Sequence, residues 1–391
     1  MDWLFGRQTP TFLICVLFQL TAFPGKCKLV VKQPNRTLTG QMKKLHFVQT
    51  RGTASAIFVL IFTNSQLSAA QDAVGRRLTM EALALERKAE QNRELRERLL
   101  QLKKERNAII LAHYYQRDEI QEVADFRGDS FLLAQKAAAT DADVIVFCGV
   151  HFMGESAKIL APHKTVLVPD ERAGCPMADM VNPIGLRELK AKHPNAKVVT
   201  YINSSADVKA ETDICCTSAN AIKVVNSVDS DEVIWCPDKN LGHYVAQHTD
   251  KKMIIWEGYC NTHDMLTVKD VVEMRAKHPN AQFVVHPECR PEVVEMADFV
   301  GSTTGILKYC KESDCKEFIV GTEDGTGYQL RVDSPDKTFH FASKFLVCPN
   351  MKVNNLKKVV RALETMQPQI YVPEDVANKA RLSLERMLLV K

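Results

Sequence analysis

The five residues Lys192–Ala196, KHPNA, recur letter for letter as Lys277–Ala281. A chain that repeats a motif at long range is built from copies of one supersecondary unit, which constrains its fold more than any local propensity. Laid in register from Asn195 and Asn280, NAKVVTYINSSADVKAETDICCTSA matches NAQFVVHPECRPEVVEMADFVGSTT without a gap, at an offset of 85. A third copy, NAIILAHYYQRDEIQEVADFRGDS from Asn107, falls into the same frame at an offset of 88. Asp125, Asp213 and Asp298 then coincide.

Each copy opens with a short β-rich apolar run, Ile109 to Ala112, Val198 to Tyr201 or Phe283 to Val285, of the kind expected for a buried strand. A helix follows, and then a small turn: Gly128-Asp129-Ser130, Cys216-Thr217-Ser218 or Gly301-Ser302-Thr303. The second half of each copy supplies another β run, at Val144 to Cys148, Glu232 to Cys236 and Glu317 to Gly321, and then a last strand. Strands alternating with helices specify parallel sheets. The expected fold is therefore three similar doubly wound, Rossmann-like α/β domains related by pseudo-threefold symmetry, with the active site at their junction. Expected boundaries are 80–180 for the first, with an N-terminal helix, 181–265 for the second, and 266–391 for the third with C-terminal helices.

Residues 1–79 share none of this pattern. Their apolar runs, Thr11 to Phe23 and Ala56 to Phe62, are shorter than the roughly 20 residues that cross a bilayer. The first lacks the basic flank of a secretory leader. The segment is read as an extension outside the fold, with the functional chain beginning near Met80. From Thr79 an amphipathic helix is expected, carrying Met80, Leu83, Leu85, Leu95, Leu99, Leu100 and Leu102 on its way to Asn107.

The 51 basic and 47 acidic residues are spread along the chain, so neither a nucleic-acid surface nor a membrane partner is expected. A small anionic ligand suits the charge better. Twelve cysteines in a chain with 46% hydrophobic residues do not form a disulfide framework, which belongs to short secreted chains. A reducing, cytoplasmic setting is expected. With no Cys-x-x-Cys pair, any cysteine metal site must gather ligands from distant parts of the chain.

In open parallel sheets ligands bind beyond the carboxyl ends of the strands. Those ends carry His113 and Tyr115 in the first copy, Tyr201 and Asn203 in the second, and His286 and Glu288 in the third. The turns add Ser130, Ser218 and Thr303, so donors suited to anions converge with one carboxylate able to move protons. The last strand of each copy is read as ending in a cysteine, Cys175, Cys260 or Cys348, at 45, 42 and 45 residues from Ser130, Ser218 and Thr303. Equivalent positions meet at a symmetry axis, so three thiols are expected beneath the polar pocket. Three thiolates are an incomplete shell for either a 4Fe-4S cluster or a structural zinc, and in a cluster one iron is left free to act as a Lewis acid. Cys148, Cys215, Cys216, Cys236, Cys289, Cys310 and Cys315 lack the threefold pattern and are read as buried small hydrophobes. His263, three residues after Cys260, is a candidate support for cluster or substrate, while His278 is read as surface or structural.

The chain from about Arg106 to Lys391 closely resembles the quinolinate synthase family. The resemblance rests on ILAHYYQ, ADFRGDS, FMGESAKIL, GCPMADM, YINSSADVKA, TSANA, PDKNLG, EGYCNTH, VVHPEC, GSTTG, GTEDG and VCPNMK. It implies three triplicated α/β domains and one 4Fe-4S cluster per chain on Cys175, Cys260 and Cys348. It also implies a transferase of NAD biosynthesis that condenses iminoaspartate with dihydroxyacetone phosphate to quinolinate, phosphate and water, coupled in function to an L-aspartate oxidase. The same resemblance assigns His113, Tyr115, Ser130, Tyr201, Asn203, Ser218, His286, Glu288, Ser302 and Thr303 to the substrate pocket. Within it Glu288 is expected to do acid/base work, Tyr115 to pass a proton, and His113 and His286 to hold carboxylates and phosphate. The alternatives are a zinc-dependent lyase or hydrolase on the same thiols and a non-catalytic sugar-phosphate binder, the latter without a Gly-x-Gly-x-x-Gly or P-loop pattern to support it.

Overall fold

A computed structural model of the protein describes residues 90–390 and, before them, only the antiparallel pair Pro10–Thr11 with Leu38–Thr39. Residues 79–89, the expected start of the first helix, lie outside the described residues. The helix runs over 90–105; Leu99 and Leu102 are buried, whereas Leu100 is 57% exposed and lies off the apolar face.

Twelve parallel strands form three four-stranded sheets. The first sheet contains β1 (Ala108–His113), β2 (Phe126–Gly128), β3 (Val144–Cys148) and β4 (Thr165–Leu167). The second contains β5 (Lys197–Tyr201), β6 (Ile214–Cys216), β7 (Glu232–Cys236) and β8 (Lys252–Ile255). The third contains β9 (Gln282–Val285), β10 (Phe299–Val300), β11 (Glu317–Gly321) and β12 (Thr338–Phe341). In every sheet the second strand lies outside the first, the first beside the third, and the fourth at the far edge. The register is also common to all three: Leu111 faces Phe126, Val199 faces Ile214 and Val284 faces Phe299. The expected three similar layers are therefore present, in topology and in register.

The conserved spacing of the copies has local causes. KHPNA is the joint between a helix and the first strand of a layer. His193 and His278 end the helices Pro183–Lys192 and Val268–Lys277 with nearly the same backbone angles, φ −130° and −131°. Ala196 and Ala281 then donate back to the His193 and His278 carbonyls, turning the chain into the sheet. The three aspartates pin the first strand to the loop before the second. Asp125, Asp213 and Asp298 each accept the N–H of Ile110, Val198 and Phe283, at 2.8, 2.9 and 2.7 Å, and return their own N–H to the same residue's carbonyl. A buried backbone donor at a strand start is satisfied this way in every layer.

Two features differ from the expected organisation. The cysteines do not end the fourth strands: Cys175, Cys260 and Cys348 lie eight, five and seven positions beyond Leu167, Ile255 and Phe341. The C-terminal helices, expected with the third domain, serve the other two. Helix Leu356–Thr365 buries Leu356, Val359, Val360 and Leu363 with Ile110 and Val146 of the first sheet. Helix Glu374–Leu389 packs on Ala206–Ala210 and β6, and its Ser383 hydroxyl donates to the Lys209 carbonyl at 3.1 Å. Among the described residues no helix is long and apolar enough to cross a membrane.

Candidate active site

The order of each sheet puts a topological switch between its first and third strands, and the loops leaving those strands open a crevice. The three crevices share one cavity of about 190 Å³. Its wall includes His113, Tyr115, Ser130, Tyr201, Asn203, Ser218, His286, Glu288 and Thr303, together with Cys175, Cys260 and Cys348. Ser302 is absent from that wall. It caps helix Thr303–Glu312, accepting the Gly305 N–H at 3.1 Å, just as the equivalent Asp129 caps helix Ser130–Ala139.

His113 and His286 sit at the same point of the first and third layers and are held the same way. Each Nδ1 accepts the N–H two residues on, from Tyr115 at 3.2 Å and Glu288 at 3.3 Å. That acceptance leaves the proton on Nε2, so each ring points a neutral N–H away from its own loop, the His286 one toward the Ser218 hydroxyl at 3.1 Å. Burial pushes both imidazoles down to about 3, against the pull of Glu288.

Around these rings runs a chain of buried hydrogen bonds. The Tyr115 hydroxyl lies 2.9 Å from Thr303 Oγ1 and 3.0 Å from Thr322 Oγ1. Thr322 is 3.0 Å from His263 Nε2, and His263 Nδ1 is 2.7 Å from Glu288 Oε2. Burial, reinforced by the Glu288 charge, raises the Tyr115 and Tyr201 phenols well above their ordinary value, so both are proton donors. Burial also raises the Glu288 carboxyl, but His286, His263 and the Tyr201 hydrogen bond outweigh it and hold the group ionised. Among the residues that line the cavity, two buried acceptors have no hydrogen-bond partner, Glu288 Oε1 and Asn203 Oδ1. Leaving a buried carboxylate oxygen unpaired is costly, and a ligand donor in the cavity relieves the cost.

The thiols follow a common local plan. Each sulfur accepts the backbone N–H three residues on: Cys175 from Ala178, Cys260 from His263 and Cys348 from Met351. The loops themselves are fixed by a bond that recurs in every layer. His151, Lys239 and Asp324 donate their N–H to the carbonyls of Ala173, Gly258 and Leu346, each two residues before the cysteine, at 2.7, 2.7 and 2.8 Å. At Gly258 the approach is so close that a Cβ would meet the Pro237 carbonyl oxygen at 2.6 Å. Burial raises all three thiols, Cys175 to about 12, so without a metal they are neutral. All ten cysteines among the described residues are free.

In two layers a buried carboxyl group, raised above its ordinary range by burial, completes the cysteine's support. Asp238 Oδ2 accepts the Cys260 N–H at 3.0 Å, and Glu323 Oε1 accepts the Cys348 N–H at 2.9 Å. Lys352 neutralises Glu323 at 3.0 Å and also donates to the Tyr115 carbonyl at 2.8 Å. Sequence reading passed over Asp238, Glu323 and Thr322, and left His263 without a settled role. The first two occupy one repeat position, after the third strand of a layer, and aligning PDKNLG with GTEDG exposes them.

Soft sulfur donors, a buried carboxylate and neutral imidazole donors converge here from three α/β layers, a set compatible with a metal-binding enzyme site. Comparisons give that class a family. Residues 97–389 match the family model described as quinolinate synthetase A protein. The chain is 57% identical to "Quinolinate synthase 1" of Methanosarcina acetivorans over 301 residues, which is 77% of this chain and 99% of that protein. It is 56% identical to "Quinolinate synthase" of Geobacter metallireducens, over 76% and 97% of the two chains, and 59% identical to that of Geobacter sp. strain M21, over 74% and 95%. The chain belongs to the quinolinate synthetase A family.

Proposed function

We propose that this protein is a transferase that condenses iminoaspartate with dihydroxyacetone phosphate to give quinolinate, phosphate and water, the imine coming from an L-aspartate oxidase. The observation that carries the reading is the meeting of three thiols, one from each layer, in the cavity where Glu288 Oε1 has no partner.

The donor set fits a 4Fe-4S cluster: three half-buried cysteines free of disulfides, each with a backbone N–H already turned toward its sulfur. Bound by Cys175, Cys260 and Cys348, with one iron free of protein ligands, such a cluster supplies Lewis-acid chemistry that eases the loss of water. The protein's own groups do the rest. His113 and His286 offer Nε2–H donors, and Ser130, Ser218 and Thr303 offer hydroxyls, to the carboxylates and phosphate of the substrates. Asn203 Oδ1 receives a substrate N–H or O–H. Glu288 Oε1 takes protons in the imine and enol steps, and its other oxygen is tied through His263 and Thr322 to Tyr115, which returns a proton to the substrate. For Tyr115 to give its proton to the substrate the relay runs from Glu288 outward, with protonated Glu288 donating to His263 Nδ1, His263 Nε2–H to Thr322 and Thr322 to Tyr115, so that every bond has one donor and one acceptor.

A second reading has a specific observation behind it. Cys260, His263 and Glu288 present ligand atoms within 4.8 Å of one another, a mixed set that suits a single zinc ion. One preparation separates the two. Anaerobic purification is expected to give a brown protein with iron and sulfide in the equal amounts of a cluster, and quinolinate from the two substrates. Stoichiometric zinc with no iron and no quinolinate overturns the proposal in favour of the mixed site.

A further inference from the structure

We propose that His278, Glu317 and His340 form a surface site for one divalent transition cation of the zinc or nickel class, remote from the catalytic cavity. His278 ends helix Val268–Lys277, Glu317 opens β11 and His340 lies on the edge strand β12. His278 Nδ1 and His340 Nε2 both stand 2.9 Å from the same oxygen, Glu317 Oε1. The two rings stack with centroids 3.6 Å apart at 20°. All three ligand atoms lie within 4.8 Å of one another. With bonds of about 2.0–2.2 Å, neighbouring ligands around a four-coordinate ion sit roughly 3.3 Å apart, so the cluster needs only a slight opening to take one.

The donor chemistry is that of a two-histidine, one-carboxylate set, which suits zinc and nickel better than magnesium or calcium. In the metal-free form both imidazoles donate N–H to one carboxylate oxygen. The cation takes the place of those two protons, each of which moves to the ring's other nitrogen as that nitrogen's own proton or passes to water. The residues are 24–34% exposed at their side chains, so water reaches the remaining coordination positions. The hydrogen bonds from His278 and His340 hold the Glu317 carboxyl below its ordinary range, so the carboxylate is already charged.

Comparison of the layers shows that the set is special to the third. The second layer has the same helix-ending histidine and strand-opening glutamate, His193 and Glu232, 3.7 Å apart, but there Lys252 supplies an ammonium at 2.7 Å. A lysine neutralises the carboxylate and competes with a cation. In the first layer Val144 replaces the glutamate. In the third, the lysine is gone and a second imidazole takes over its role. Glu317 stands at the amino end of β11 and none of His278, Glu317 and His340 lines the cavity, so filling the site does not touch the reaction. A cation there ties a helix end to an edge strand, where the sheet is otherwise least protected.

The test is calorimetric titration of the anaerobically purified full chain with zinc chloride in a buffer free of chelators. Expected is a binding event of about one equivalent that weakens by about tenfold or more in His340→Gln and, independently, in His278→Gln. Iron content and quinolinate formation are expected to be unchanged in both variants, and zinc is expected to raise the wild-type Tm by a few degrees. Zinc binding equally tight in both variants, or a wild-type Tm indifferent to zinc, overturns the proposal. The Tm measurement does so even if a variant fails to fold.

Discussion

The first layer and the other two hold their cysteines differently. The second and third anchor the cysteine N–H on a buried carboxyl group, Asp238 or Glu323; at the equivalent position the first has Val150, 3% exposed and part of the cavity wall. Yet the backbone bond from the next residue to the carbonyl before each cysteine is the same in all three. The lesson is that the symmetry lies in the main chain, which sets where the sulfurs arrive. The side chains that tune each sulfur have diverged.

Several measurements break or sharpen that comparison. The largest effect is expected from Cys260→Ala, which removes a thiol rather than its support: iron retention and quinolinate formation should fall together to background. Retention of both would sink the three-thiol site. Glu288→Gln should leave iron bound while lowering kcat by about 10²–10⁴-fold, because it removes the base and not a ligand. Next come the supports. Asp238→Asn and Glu323→Gln should each cost about 10–100-fold in iron affinity or activity, the range for groups that orient ligands. Val150→Ala should instead cost only stability, about 1.6 kcal/mol for two buried methylene equivalents, read as a lower denaturation midpoint with iron content intact. Equal iron loss in all three variants would erase the distinction between the layers.

The smallest effect at neutral pH concerns the imidazoles, present in the first and third layers where the second has Tyr201. Their folded values are depressed from 6.5 to about 3, so below 6.5 the unfolded chain takes up protons that the folded chain refuses. Stability is therefore complete above 6.5 and is lost as pH falls toward 3. By pH 4 each ring should account for about 3 kcal/mol of that loss. His113→Gln should flatten the fall in a series of melts at decreasing pH while changing little at pH 7.5.

The repeat made much of this legible. Because KHPNA and the three aspartates perform the same local task in each layer, alignment alone placed the strands, the turns and the residues at the strand ends. The cavity wall follows from that placement for every expected residue except Ser302, whose capping hydroxyl is the counterpart of Asp129. The strand-to-cysteine spacing was not legible, since loops of unequal length reach the same place. Nor was the destination of the C-terminal helices, which belong to no copy and find their partners only in three dimensions. The relay through Thr322 and His263 was hidden for the same reason: it joins side chains from different layers, with no spacing in common.

The bond to Ala173, Gly258 and Leu346 also divides each loop into a tolerant and an intolerant part. Chain added upstream, between the end of the fourth strand and that bond, lengthens the path from the sheet and leaves the spacing from bond to sulfur unchanged. A single residue inserted between Ala173 and Cys175 would displace the sulfur from its sisters while the layer stayed folded. The distance that evolution, or an engineer, must preserve here is counted backward from the thiol and not forward from the strand.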